Sequence, residues 1–134
     1  MRPTFAPSSK SENHGCRVPI VAATRWITEM GMGVDVRGND YTKAACRAVF
    51  DAIHHSSLNF FEAAGKKHED MLIDVHIGAA EPDQVDRDAV AAELPYGQGT
   101  VHVRTGGLDV ESARGAEHGN LVIANAIVCV SFED

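Results

Sequence analysis

The sequence predicts an α+β domain of order β-α-β-α-β-β: a four-stranded mixed sheet with two helices on one face. Three patterns carry that prediction. Residues 26–36 and 70–78 alternate with a period of two, as strands do. Residues 41–55 repeat small apolar residues at helical spacing. Residues 121–132 are apolar on both faces except at Asn125, Cys129 and Ser131, which marks a central strand or one covered on both sides.

Residues 1–17 are rich in Ser and Pro without periodicity and read as a flexible tail, leaving 18–134 as a single domain. The first strand begins between Val21 and Arg25 and ends at Val36. Trp26, Thr28, Met30, Met32, Val34 and Val36 share one face, and Ile27, Glu29, Gly31, Gly33 and Asp35 the other. Two glycines in mid-strand predict a bulge, or the close approach of another backbone or a ligand. Gly38 supports a turn, and Asp40 is placed to cap the following helix. That helix, Tyr41–His55, carries a narrow stripe of Ala45, Ala48, Val49, Ala52 and Ile53, suited to lying close on a sheet. Leu58–Ala64 reads as a short extra turn stopped by Gly65.

In the second strand, Asp70–Gly78, Met71, Ile73, Val75 and Ile77 form the core face, against Leu72, Asp74 and His76. Pro82 and Asp83 open a second helical segment, firmest over Asp86–Leu94, which Pro95 ends. The third strand, Gly99–Thr105, turns Val101 and Val103 inward and His102 and Arg104 the other way. Residues 106–120 read as a polar connection before the last strand, with the option of extending part of a hairpin. Two helices cover one face of such a sheet. The apolar side chains on the other face predict that copies of the chain associate over it.

Composition removes several classes of function. A formal charge of -7 repels phosphate backbones, and no basic stripe with interleaved aromatics offsets it, so nucleic acid is not an expected partner. No apolar run reaches the length of about 18–20 residues that spans a membrane, and the N-terminus lacks the apolar centre of a secretory signal. Three cysteines, Cys16, Cys46 and Cys129, without a CxxC, fit a reduced cytoplasmic setting.

Glu29 and Asp35 share a strand face but lie roughly 20 Å apart on a regular strand, too far for a two-carboxylate glycosidase pair. Glu29 sits among apolar residues, a setting that suits a lone general acid or base, and it is the candidate catalytic residue. Its structural alternative is an ion pair at a subunit contact; that of Asp35 is a turn cap. Gly31 and Gly33 do not complete a G-x-G-x-x-G fingerprint, because position 36 is Val36. Lys43 and Arg47, at the start of the helix, are candidates for holding an anionic group, against the bland alternative of solvation and an ion pair. Arg104 and Asn125 are the further ligand-binding candidates. Asn125 reads as a buried amide that must find a partner, in a neighbouring subunit or in a ligand. His54 and His55 fit a helix C-terminus. Asp74 and His76 share a strand face, and Glu29 or His102 could join them in a metal or proton-transfer cluster; the spacing leaves that open. Cys46 and Cys129 lie on apolar faces and read as inert thiols. No metal centre and no cofactor is expected.

The block EMGMGVDVRGNDYTKAACRAVFDAIHHSSL, the segment IGAAEPDQVDRDAV with LPYG after it, GGLD and the terminal LVIANAIVCV resemble a small family of conserved hypothetical proteins found in bacteria, with longer plant relatives. The likeness spans about residues 26–132 and implies no activity. Residues 1–24 depart from its shorter members. The element order separately resembles the chorismate-mutase-like fold, which implies a trimer with sites between subunits, although none of the catalytic signatures of its enzymes stands in this chain. Together these readings predict a cytoplasmic homo-oligomer, a trimer, that binds a small polar or anionic metabolite at an interface. Cofactor-free hydrolase, isomerase or lyase chemistry is the expected form of activity. The alternative is a non-catalytic ligand-binding or structural oligomerisation module.

Overall fold

A computed structural model describes residues 22–55, 63–96 and 98–134. Five strands and two helices follow in the order β1 (Ala23–Asp35), α1 (Tyr41–Ile53), β2 (Leu72–Ala79), α2 (Arg87–Ala91), β3 (Gln98–Thr105), β4 (Leu108–Glu111) and β5 (Asn120–Glu133). The expected tail at 1–17 and most of the expected turn at 58–64 lie outside the described residues. The strand order is β1-β5-β2-β3, with β4 pairing β5. β2 and β3 run parallel and the other pairs antiparallel, so the sheet is mixed. It has five strands rather than the four expected. The extra one, β4, is four residues from the stretch read as a connection; only its pairing with β5 makes it a strand.

β5 is central, which accounts for its apolar residues on both faces. Val122, Ala124, Ala126, Val128 and Phe132 point to the helices and are buried. The alternation holds through β2 and the residue before it: Met71, Ile73, Val75 and Ile77 are buried, and the residues between them half-buried. α1 lays Ala44, Ala45, Ala48, Val49 and Ala52 on the sheet, each with no exposed surface. Asp40 caps the helix by accepting from the Lys43 N–H at 2.9 Å. α2 packs on the same side, with Val90 fully buried.

Gly31 and Gly33 explain how α1 comes so near. A Cβ built at Gly31 would stand 2.4 Å from the Ala52 nitrogen, and one at Gly33 would stand 2.1 Å from the Ala44 carbonyl oxygen. Of the close approaches those glycines predicted, the structure shows that of the helix backbone.

β1 is an edge strand, and α1 blunts its free edge. The Met32 N–H donates to Asp51 at 2.9 Å, and the Val34 carbonyl accepts from Arg47 at 2.6 Å. Groups satisfied in this way are withdrawn from pairing with another chain.

A bulge interrupts β1. The register passes from Arg25 opposite Ser131 to Ile27 opposite Val130, so one residue, Trp26, is extra. This corrects the expected face of Trp26. Its ring meets Phe132 edge-on, at 5.9 Å and 83°, on the helix side of the sheet. Arg25, which regular alternation assigns to the helix side, is carried to the open side instead.

The open face is apolar over much of its area. Met30, Met32, Val34, Leu108, Val110 and Ile127 are all exposed there, Met30 at 66%.

Candidate functional site

The candidate site is a concavity in the open face, of about 630 Å³, where β1, β5, β2 and β3 run side by side. The register builds it row by row. Met30 stands beside Ile127, Ile127 beside His76, and His76 beside His102; one row on, Asn125 stands beside Gly78 and Gly78 beside Arg104. Residues directly opposite in paired strands share a face, so these rows are contiguous. Arg25, Arg104, His76 and Asn125 supply the polar lining, and Met30, Ile127 and Cys129 the apolar part.

The histidines form the most organised part. The His102 imidazole donates from Nε2 to Asp74 Oδ1 at 2.8 Å. The rings of His76 and His102 stack at 4.9 Å and 18°. Burial pushes the His76 imidazole below its ordinary value, helped by the charges of His102, Arg104 and Arg25 and opposed by Asp74. His102 therefore joins Asp74 and His76, while Glu29, on the helix-side face, does not. Among the described residues no group of three or more His, Cys, Asp or Glu side chains is placed to hold a metal ion.

Arg104 and Asn125 line the concavity. Asn125 is exposed rather than buried, and its partner lies in its own chain: Oδ1 accepts from the Gly107 N–H at 2.8 Å. It thereby holds the sharp turn between β3 and β4, where Gly107 adopts φ 64°. Lys43 and Arg47 stand elsewhere, each 3.9 Å from Asp35, a buried carboxylate that also accepts from the Asp40 N–H at 3.0 Å. Asp35 caps the turn into α1, and the two cations flank it. Glu29 is half-buried opposite Val128, on the face α1 covers. The five candidates thus divide between two faces of one sheet.

The side groups of α1 settle into structural contacts. His54 caps the helix C-terminus, its Nδ1 2.7 Å from the Phe50 carbonyl oxygen, and His55 lies 3.0 Å from Asp51. Asp51 is held below the usual carboxylate range, first by the Met32 N–H and then by His55. Burial pushes the Cys46 thiol up, as do the carboxylates of Glu93, Asp40 and Asp86, so it is a poor nucleophile.

Sequence reasoning did not identify Arg25 as a site residue. Its signal was the neighbouring pair Trp26-Ile27, two large apolar side chains in succession where alternation allows only one to face the core. A bulge lets both pack on the helix side.

Away from the concavity, Tyr41 hydrogen-bonds Asp109 across the start of α1. That bond, then burial, then the charges of Asp109 and Glu81 raise its phenol from 10.0 to about 12, against an opposing hydrogen bond with Asn120. Because the folded value is raised, the stability the neutral phenol contributes is intact below pH 10 and lost as pH rises through about 12. Ultraviolet titration is expected to show one tyrosine ionising near 12, and Tyr41→Phe to remove that step. A wild-type protein whose tyrosines all ionise near the ordinary value would contradict this.

The fold and site define an α+β protein with helices on one face of its sheet and a polar concavity, in an apolar field, on the other. Residues 25–130 match the conserved hypothetical protein family Lin0512_fam, and the chain belongs to that family. A solved structure, described as a FtsZ-like protein of unknown function from Nostoc punctiforme PCC 73102, is similar at 39% identity with a TM-score of 0.77, over 85% of this chain and 99% of that one. No curated protein matches. No helix among the described residues is long and apolar enough to cross a membrane.

Proposed function

We propose that this protein is a cytoplasmic homo-oligomer, a trimer in the chorismate-mutase-like arrangement, that binds a small polar metabolite in the open-face concavity where copies meet. One observation carries the reading: exposed apolar side chains surround a concavity whose polar groups converge. An apolar field of this kind marks an interaction surface. A second copy laid over it encloses the concavity and removes Met30, Met32 and Ile127 from water. Arg104 and Asn125 contact the ligand. Glu29, Lys43 and Arg47 lie on the other face and support the fold. The His76–His102–Asp74 cluster is the acid–base group available to hydrolase, isomerase or lyase chemistry without a cofactor.

The alternative is a non-catalytic binding or oligomerisation module. The pairing of Lys43 and Arg47 with Asp35 favours it, since those charges are satisfied within the chain.

Light scattering at micromolar concentration tests the assembly. The wild type is expected at three times its chain mass of 14.4 kDa, and Met30→Glu or Ile127→Glu at a single chain mass with its circular dichroism unchanged. A wild-type monomer would remove the interface argument.

A further inference from the structure

The concavity gathers positive charge in a chain whose formal net charge is -7. Arg25 arrives from β1, His76 from β2 and Arg104 from β3, with His102 of β3 stacked against His76 behind them. Among the described residues neither Arg25 nor Arg104 makes an ion pair. The carboxylate facing His76 is Asp74, and it is already engaged by His102 at 2.8 Å. Guanidinium groups without counterions beside an imidazole are what an oxyanion requires.

Two features of the backbone serve the same end. The bulge at Trp26 gives up regular pairing in β1, and its consequence is to bring Arg25 into the concavity. Bulges of this kind re-aim side chains next to sites. Gly78 keeps the floor open, because a Cβ there would stand 3.2 Å from Asn125 Oδ1. With that oxygen held by the Gly107 N–H at 2.8 Å, the amide nitrogen of Asn125 is left as a donor.

We propose that the open-face concavity is an oxyanion site for the carboxylate or phosphate group of a small metabolite, with Arg25 and Arg104 as its charge partners and Asn125 as a donor. The proposal rests on the interface-site reading above and names its ligand class. Asp74 is a positioning residue, which holds His102 beside His76. An anion bound here favours the charged form of His76. Binding therefore tightens as pH falls, and by reciprocity the anion raises the His76 value.

The test is a titration of the full chain with inorganic phosphate, read from the imidazole ring resonances of His76 and His102, with light scattering on the same samples. Phosphate is expected to move both sets of resonances saturably and to raise the pH midpoint of His76. Arg25→Gln and Arg104→Gln are each expected to weaken binding about tenfold or more, the loss of one charge-assisted contact. Both side chains are exposed, so both variants should keep the wild-type thermal midpoint. Arg87→Gln, on α2 across the sheet, should bind as the wild type does. A parallel titration with malonate separates the two ligand types, the tighter binder naming the preferred oxyanion. Histidine resonances that neither anion moves would overturn the proposal, as would equal binding by the Arg25, Arg104 and Arg87 variants. An oligomer that fails to bind leaves the assembly reading standing without this site. A monomer that binds leaves this site standing without the assembly.

Discussion

Gly33→Val is expected to abolish folding or to cost more than about 3 kcal/mol, the largest effect of any substitution considered for this protein. The Cβ alone would stand 2.1 Å from the Ala44 carbonyl oxygen, 2.4 Å from the Ala48 nitrogen and 2.7 Å from the Arg47 Cβ. Two of those atoms belong to the backbone of α1, which cannot yield as a side chain can. The helix must lift from the sheet, and lifting it separates Ala44, Ala48 and Val49 from the core they now join. A domain stable by about 5–15 kcal/mol has little margin for that loss. Gly31→Val meets the same helix at 2.4 Å and should behave alike. Gly38→Ala is the contrast: nothing stands within 4 Å of its Cβ, and its cost is limited to the strain of a left-handed turn at φ 83°. Urea denaturation decides the matter. A Gly33→Val protein with the wild-type midpoint would show that α1 does not sit where its contacts place it.

Asp35→Ala is expected to cost about 2 kcal/mol, and Asp35→Asn about half of that. The carboxylate is buried, with its side chain 4% exposed, while Lys43 and Arg47 are 51% exposed. Water can therefore take over the two cations, and their ion pairs contribute little. The larger loss is the Asp40 N–H, a partly buried donor that Asp35 satisfies at 3.0 Å. Asparagine still offers an oxygen to that N–H, which is why it should be milder. The donor belongs to the residue that caps α1, so the damage should appear as a lower urea midpoint for the whole protein rather than as local fraying. Equal midpoints for Asp35→Ala and wild type would remove the capping role.

Much of the scaffold was legible from alternation and spacing. From Ile27 to Asp35 the two faces of β1 follow strict period two, and the structure keeps them. The small stripe of Ala45, Ala48, Val49 and Ala52 met the sheet as its spacing required. The central place of β5 is one of the two positions its double-sided apolarity allowed. Such features are local consequences of a helix or strand burying one face, so a short window of residues contains them.

The candidate site was legible only in part. His76, Asp74 and His102 were open candidates for one cluster, and the parallel register of β2 and β3 placed them together. Asn125 was visible as a polar residue in an apolar strand, but its partner, the Gly107 N–H, belongs to a turn that no pattern specified. β4 was hidden because four residues become a strand only when β5 is there to pair with them. Trp26 was misplaced, and Arg25 went unrecognised, because alternation carried through a bulged residue puts it and the residues before it on the wrong faces.

Legible without the structure were the α+β class, the core face of β2, the two apolar faces of β5, the cap at Asp40 and a bulge or close approach at Gly31 and Gly33; that α1 makes the approach was not. Each legible feature rests on the pattern of one segment or on the absence of a side chain. The tertiary structure decided which charges meet. It drew Lys43 and Arg47 to Asp35, and set Arg25 and Arg104 around His76 on the opposite face. Strand order, register and one bulge fix those distances, and they join residues far apart in the chain.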